Sequence, residues 1–230
     1  MVNLIQTAIL CQKKLYLKLF YYYTMRIPSI KAIFSIPRWR GITYSFLTKE
    51  KSSSKATIYK PLIFTVKSIT WETGLRIYHN ARIQGVKQYC GITFNPHIIF
   101  HENVSIQQNC HITCAERIEV GSETAIAAGV TITDIDHPYI DTLTPIEKQP
   151  LKVTPVHIGK DCKIYNNAVI LNGTSIGNHC VIGANSVVKG VFPDFCIIVG
   201  SPGRIVKRYN INTNKWEKTK PDGSFINGNT

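Results

Sequence analysis

The segment TITDIDHPYID, residues 131–141, sets an imidazole, His137, beside two carboxylates, Asp134 and Asp136, and a proline, Pro138. A neutral imidazole accepts a proton near physiological pH, and a neighbouring carboxylate can hold it in one tautomer. These residues have the makings of a general base. Spacing does not choose between Asp134 and Asp136 as the orienting group, and acids in turns are often merely solvated. A lone turn histidine is ordinarily held by local hydrogen bonds and does no chemistry. His137 differs in standing where a regular rhythm of the sequence stops.

Other reactive residues form weaker patterns. The seven cysteines include no CxxC pair, and Cys110-x3-Cys114 is a poor zinc pattern without a second pair, so no metal site is expected. Lys189, Arg204, Lys207 and Arg208 gather near the end of the rhythm. Several cations there suit a multiply charged anion, although each can equally be a solvated surface charge. His79, His97, His101, His111, His157 and His179 carry no functional expectation.

The rhythm has a period of six. From Ile158 the chain reads IGKDCK, IYNNAV, ILNGTS, IGNHCV, IGANSV, VKGVFP. Upstream stand FHENVS, IQQNCH, ITCAER and then VGSETA, IAAGVT, ITDIDH, with IYHNAR as a fainter copy. Six residues suit one short strand and one tight turn, and three such units close a triangular coil. Coils then stack about 4.8 Å apart through parallel strand pairing. The first place of each hexad is aliphatic or Phe and points inward. The fifth place also points inward, where space is narrow. Cys110, Cys162 and Cys180 occupy that place and read as small buried hydrophobes.

Around this prism the composition changes. Residues 1–60 hold eleven Lys or Arg and a single acid, Glu50, out of a formal net charge of +13 for the whole chain. The expected organisation is a basic, aromatic-rich and partly helical arm with a linker over 1–57, a β-prism over 58–203, and a C-terminal tail over 204–230 whose end, residues 212–230, is polar and loosely ordered. Within the arm a short helix is expected near residues 4–15, Pro28 and Pro37 interrupt the chain beyond it, and KEKSSSK reads as the linker. An excursion over 138–155 leaves the prism. No run of 18 uncharged apolar residues exists, which argues against a transmembrane helix. The apolar stretch 4–10 lacks a basic n-region and a cleavage site, so it does not read as a secretory signal. The arm suits an anionic membrane surface, or is a solvated face or mobile arm. Nucleic acid is not expected, because no nucleic-acid module accompanies the charge.

The hexads over roughly residues 58–208 resemble the hexapeptide-repeat acyltransferases. IAAGVTITDIDHPY with its excursion, and VIGANSVVKGVFPDFCIIVGSPGRIVKRY, are similar to the maltose and galactoside O-acetyltransferase group. DIDHPY with PIEKQP and DCKIYNNAVIL looks like its lipopolysaccharide O-antigen O-acetyltransferase branch. The resemblance implies an all-β fold, a left-handed parallel β-helix, assembled as a homotrimer with active sites between adjacent subunits. It implies acetyl transfer from acetyl-CoA to a sugar hydroxyl of a glycan, lipid-linked or free, in lipopolysaccharide, O-antigen or capsule synthesis. The enzyme would be cytoplasmic and peripheral to the inner face of the membrane through residues 1–50. His137 corresponds to the family's catalytic base, with Asp136 beside it, and Asn109 to an asparagine that contacts the acceptor. Backbone amides near Ala184, Asn185 and Ser186 would face coenzyme A. Lys189, Arg204, Lys207 and Arg208 are candidates for its phosphates. The family often has Thr-Lys where this chain has Lys189-Gly190. Competing readings are amino-sugar N-acetylation and a non-catalytic binding trimer. A zinc hydro-lyase of the γ-carbonic-anhydrase type would need a further histidine about where Thr142 stands.

Overall fold

The computed structural model describes residues 36–48 and 52–226. The helix expected near residues 4–15, most of the basic arm and residues 49–51 of the linker lie outside them.

Three parallel columns of first-place side chains build the core. On one face Ile58, Ile77, Ile106, Ile126, Ile164, Ile182 and Ile198 sit in register, strand on strand. On the second face the column is Phe64, Ile83, Ile112, Ile132, Ile170 and Val188. On the third it is Trp71, Phe100, Val120, Ile158, Ile176 and Phe192. Nearly all of these side chains are buried, each stabilising the fold by roughly 1.5–3 kcal/mol. The first face holds Thr57–Ile58, Arg76–Ile77, Ser105–Ile106, Ala125–Ile126, Lys163–Ile164, Val181–Ile182 and Cys196–Val199. The second runs from Ile63–Phe64 to Val187–Val188 and the third from Ile69–Trp71 to Val191–Phe192, six strands each. The stacked parallel sheets wind as a left-handed β-helix.

The corners need backbone that turns sharply. Between the first and second faces Asn80, Asn109, Asn167 and Asn185 all take left-handed conformations, with φ between 56° and 59°. Asn tolerates this region because its short polar side chain bonds locally. Gly129 takes the same corner place at φ 72°, and a Cβ there would strike the Asn167 side-chain oxygen. The fifth places are buried as the rhythm implies: Cys110, Cys162 and Cys180 are at most 2% exposed, and Cys196 continues the column above Cys180. Thr124, in the same column, donates its hydroxyl to Gly159 O and accepts from Cys162 N, so its buried polarity is satisfied.

Both ends of the prism depart from expectation. Pro37 does not interrupt structure; it opens the helix α1 (Pro37–Ser45), where its missing N–H is no loss. Gly41 of α1 meets the Ala56 carbonyl so closely that no side chain fits, and Tyr44 stacks on Phe64 at 5.1 Å. The expected linker is pinned: Ser52 Oγ accepts from Trp71 N, and Ser53 O accepts from the Trp71 indole. At the other end the expected loose tail is folded. Arg204–Asn210 and Lys215–Lys218 extend the first face as an antiparallel hairpin. Thr219 then bonds to Ile205 O, and Gly223 packs over the Ile205 side chain. The polar composition hid this because the two strands of the hairpin bury only one residue, Ile205.

Candidate active site

The corner between the second and third faces carries the breaks in the rhythm. In one coil the chain passes from Arg82–Gly85 to His97–Phe100 through an antiparallel hairpin, Gln88–Tyr89 with Ile92–Thr93. In the next coil it turns tightly from His111–Cys114 to Arg117–Val120. In the third it leaves at Thr131–Thr133 and regains the prism at Val156–Ile158. Two insertions thus spring from one corner, two coils apart.

The neck of the larger excursion is a short ribbon, Ile135–Asp136 against Lys152–Val153. Thr154 N donates to Asp134 O at 2.9 Å and closes it. Asp134 itself is fully buried and faces down the corner. Its carboxylate accepts the backbone N–H groups of Ala115, Glu116 and Arg117 at 2.8–2.9 Å, and the Cys114 thiol at 3.3 Å. The tight turn below would otherwise leave those donors without partners. Of the two acids near His137, Asp134 therefore caps a turn and does not orient the imidazole.

His137 lies just past the ribbon, half-buried. Its ring meets that of Tyr89 in a T-shaped contact with centroids 5.4 Å apart and planes at 79°. Its Nδ1 is buried and has no hydrogen-bond partner among the described residues. Asp136 precedes it and stands opposite Lys152, without a bond to that nitrogen. Beyond His137 the excursion folds around Gln149, whose amide donates to Asp141 O and Thr144 O, both at 2.8 Å. Asp141 Oδ1 accepts from Leu143 N and Thr144 N. Hydrogen bonds from Thr144 and Leu143 hold that carboxyl below its ordinary range. The tip presents Tyr139, Ile140, Leu143 and Ile146 to solvent, with Leu143 94% exposed.

The hairpin reaches this loop. Tyr89 Oη donates toward Glu147 O at 2.7 Å and Glu147 Oε2 at 2.9 Å. Sequence reasoning passed over this residue. The signal available was Gly91 between two short β-prone runs, a two-residue turn pattern. Cys90 and Gly91 indeed take φ of 46° and 77°.

The remaining candidates are dispersed. Asn109, Ala184 and Asn185 are exposed on the corner between the first and second faces, not on that of His137. Lys189 is exposed on the His137 corner, two coils further along. Arg204 is exposed beside Gly203, whose N–H caps the Val187 carbonyl. Lys207 is exposed on the outer side of the first face, level with Ile197 and Lys218. Arg208 turns the other way: it donates to Gly223 O, its Nε is buried, and its guanidinium stacks 5.7 Å from the Phe225 ring. No group of three or more His, Cys, Asp and Glu among the described residues could hold a metal ion.

Comparison with known proteins adds to this geometry. The model of the bacterial transferase hexapeptide, six repeats, matches residues 155–190. WbbJ of Escherichia coli (strain K12), named for O-acetyl transfer in lipopolysaccharide biosynthesis, is 38% identical over 128 residues, covering 53% of this chain and 65% of its own. Galactoside O-acetyltransferase of the same organism is 30% identical over 93 residues, covering 40% and 45%. The chain thus spans less than two thirds of the length of either relative. An N-acyltransferase mutant from Bacillus cereus, solved with dTDP and coenzyme A, superposes with TM-score 0.51 at 17% identity, over 72% of this chain and 85% of that one. That likeness shows the fold. Hexads, coil geometry, family match and relatives agree: residues 155–190 carry the bacterial transferase hexapeptide repeat, and the chain is similar in sequence to O-acetyltransferases built on it.

Proposed function

We propose that the chain is an acetyl-CoA-dependent O-acetyltransferase that acylates a sugar hydroxyl in lipopolysaccharide, O-antigen or capsule synthesis. The observation that carries this reading is the half-buried imidazole of His137, held at the mouth of an excursion with its Nδ1 sealed from solvent. The names of the sequence relatives support the acceptor class.

In this reading Nε2 of His137 is the working nitrogen. A sugar hydroxyl is a poor nucleophile until its proton is removed. The imidazole takes that proton as the oxygen attacks the acetyl carbonyl, and the imidazolium returns it to the departing sulfur. Acetyl-CoA supplies an activated thioester, and no covalent enzyme intermediate is needed if both substrates are held together. The chain's own residues fit the donor. Lys189 and Arg204 are exposed cations at the C-terminal coils, suited to its phosphates, and Ala184 permits close approach at a corner. Lys207 is also exposed, on the outer face. Arg208 is engaged inside the hairpin, which leaves it the weakest of the four.

The site is completed by a neighbouring copy in a homotrimer. Asn109 of one chain and His137 of another then flank the acceptor. The solvent-facing apolar tip of the excursion supports such an assembly, since an exposed patch of this kind suits protein contact. No described helix is long and apolar enough to cross a membrane. Residues 1–50 are proposed to hold the enzyme against the cytoplasmic face of an anionic membrane, near lipid-linked acceptors. Deleting them should weaken vesicle binding most clearly at low salt; unchanged binding discards that role.

The test is product analysis with acetyl-CoA and a panel of free and lipid-linked glycans. Hydroxylamine-labile acetyl esters on sugar hydroxyls support the proposal. Acetamides alone establish N-acetylation instead, and failure to bind coenzyme A in calorimetry establishes a non-catalytic scaffold.

A further inference from the structure

We infer that Tyr89 is a positioning residue, which fixes both the imidazole of His137 and the loop beyond it. The inference rests on the proposed role of His137 for its catalytic consequence, but the clamp itself is a matter of geometry.

Three observations converge. First, His137 lacks a side-chain acceptor: its Nδ1 is unpartnered among the described residues, and neither Asp134 nor Asp136 reaches it. An imidazole without that anchor is oriented by packing, and the Tyr89 ring supplies the packing in a T-shaped contact at 5.4 Å. Second, the same side chain grips the excursion at its far side, through Glu147 in the short helical turn Ile146–Lys148. Residues on both sides of the loop tip are thus tied to one phenol. Third, the phenol is presented rigidly. Its hairpin is closed by Phe94 N to Lys87 O at 2.8 Å and rooted by Val86 N to Cys114 O at 2.7 Å. Gly85 lies so close to Ser68 and Pro96 that a Cβ would come within 2.5–2.8 Å of their side chains. Cys90 adds a weak thiol bond to Glu147 O at 3.5 Å. Desolvation and then the Glu147 hydrogen bond and charge push the phenol up to about 12, so it stays a donor wherever a neutral imidazole works.

Catalysis by a positioned base depends on its placement, and a misplacement of about 1 Å can cost on the order of 100-fold. Tyr89→Phe keeps the ring and removes the grip on Glu147. Tyr89→Leu removes both. Three readouts apply: amide hydrogen exchange over residues 138–150, the NMR titration of His137 in histidine-labelled protein, and kcat against KM for acetyl-CoA. Tyr89→Phe is expected to speed exchange of the loop about tenfold and leave the His137 titration near wild type. Tyr89→Leu is expected to speed exchange, shift the titration and lower kcat by about 10- to 100-fold with KM little changed. Unchanged exchange in Tyr89→Phe together with an unchanged titration in Tyr89→Leu overturns the inference. The exchange and titration arms need no turnover, so they decide the clamp even if wild-type protein transfers no acetyl group. Loss of the clamp with normal wild-type turnover leaves the proposed reaction standing.

Discussion

His137 and Asn109 stand at two different corners of the same prism. His137 follows the end of the second face, whereas Asn109 turns the chain from the first face into the second, its N–H bonded to His79 O at 3.1 Å. The packed column of isoleucines fills the space between those corners, so no motion within one folded chain brings both residues to one acceptor.

Hybrid oligomers test this separation. His137→Ala and Asn109→Ala chains, each expressed alone, should be nearly inactive. Co-expressed, they should regain about a third of wild-type sites in mixed trimers, because every cyclic trimer containing both chains pairs an intact His137 with an intact neighbouring Asn109 at one interface of its three. Initial rates of purified hybrids carrying both affinity tags check this. No gain over the separate variants would contradict a shared site.

Asp134 has a structural task, and its loss should show in stability. Asp134→Ala strips partners from the N–H groups of Ala115, Glu116 and Arg117 and should lower unfolding free energy by on the order of 2–4 kcal/mol. Asp134→Asn, which keeps one oxygen, should cost less. Urea denaturation measures both. Equal stability of all three proteins would contradict the capping role.

These residues also mark how far the sequence could be read. The hexads place Ile132, Cys180 and their kin correctly, because a six-residue period leaves one geometry for inward side chains. His137 was legible as the point where that period fails. The choice between Asp134 and Asp136 was not, because it depends on which side chain reaches the coil below, and the rhythm is silent about contacts along the prism axis. Tyr89 was hidden for a related reason: its partner Glu147 is 58 residues away, and both lie in non-repeating insertions. Arg208 and Lys207 looked alike as charges. Only the alternation of an antiparallel strand separates them, and the hairpin was not foreseen in a polar tail.

His101 on the third face gives a pH-dependent contribution to stability. It bonds Glu119 at 2.8 Å and Glu72 at 3.1 Å. The Glu119 bond raises His101 above the ordinary histidine range, and Glu119 is lowered by His101 and then Arg117. The raised histidine stabilises at low pH and loses its effect as pH rises through its folded value. The lowered carboxylate stabilises at high pH and loses its effect as pH falls through its own. His101→Gln should therefore lower Tm at about pH 6 and have little effect at about pH 9. A Tm difference that does not vary with pH would contradict the pairing.

Thiol reactivity checks the narrow core. Burial pushes Cys110 up to about 11, and burial followed by the Asp134 charge raises Cys114. Cys162, Cys180 and Cys196 are sealed in their column. In a Cys11→Ser background, native protein at about pH 8 should show one fast thiol, Cys90, with the others reacting on the order of 100-fold more slowly until the chain unfolds. A second fast thiol in the folded protein would contradict this packing.

Acetyl transfer as proposed turns on His137 taking the acceptor's proton. Its most direct measurement is the initial rate of coenzyme A release by His137→Ala against wild type with an identified acceptor, alongside calorimetry of coenzyme A binding. A fall of about 10²- to 10⁴-fold in kcat with binding retained is the expected result. Turnover within about threefold of wild type would contradict it, since a general base cannot be removed with so small a loss.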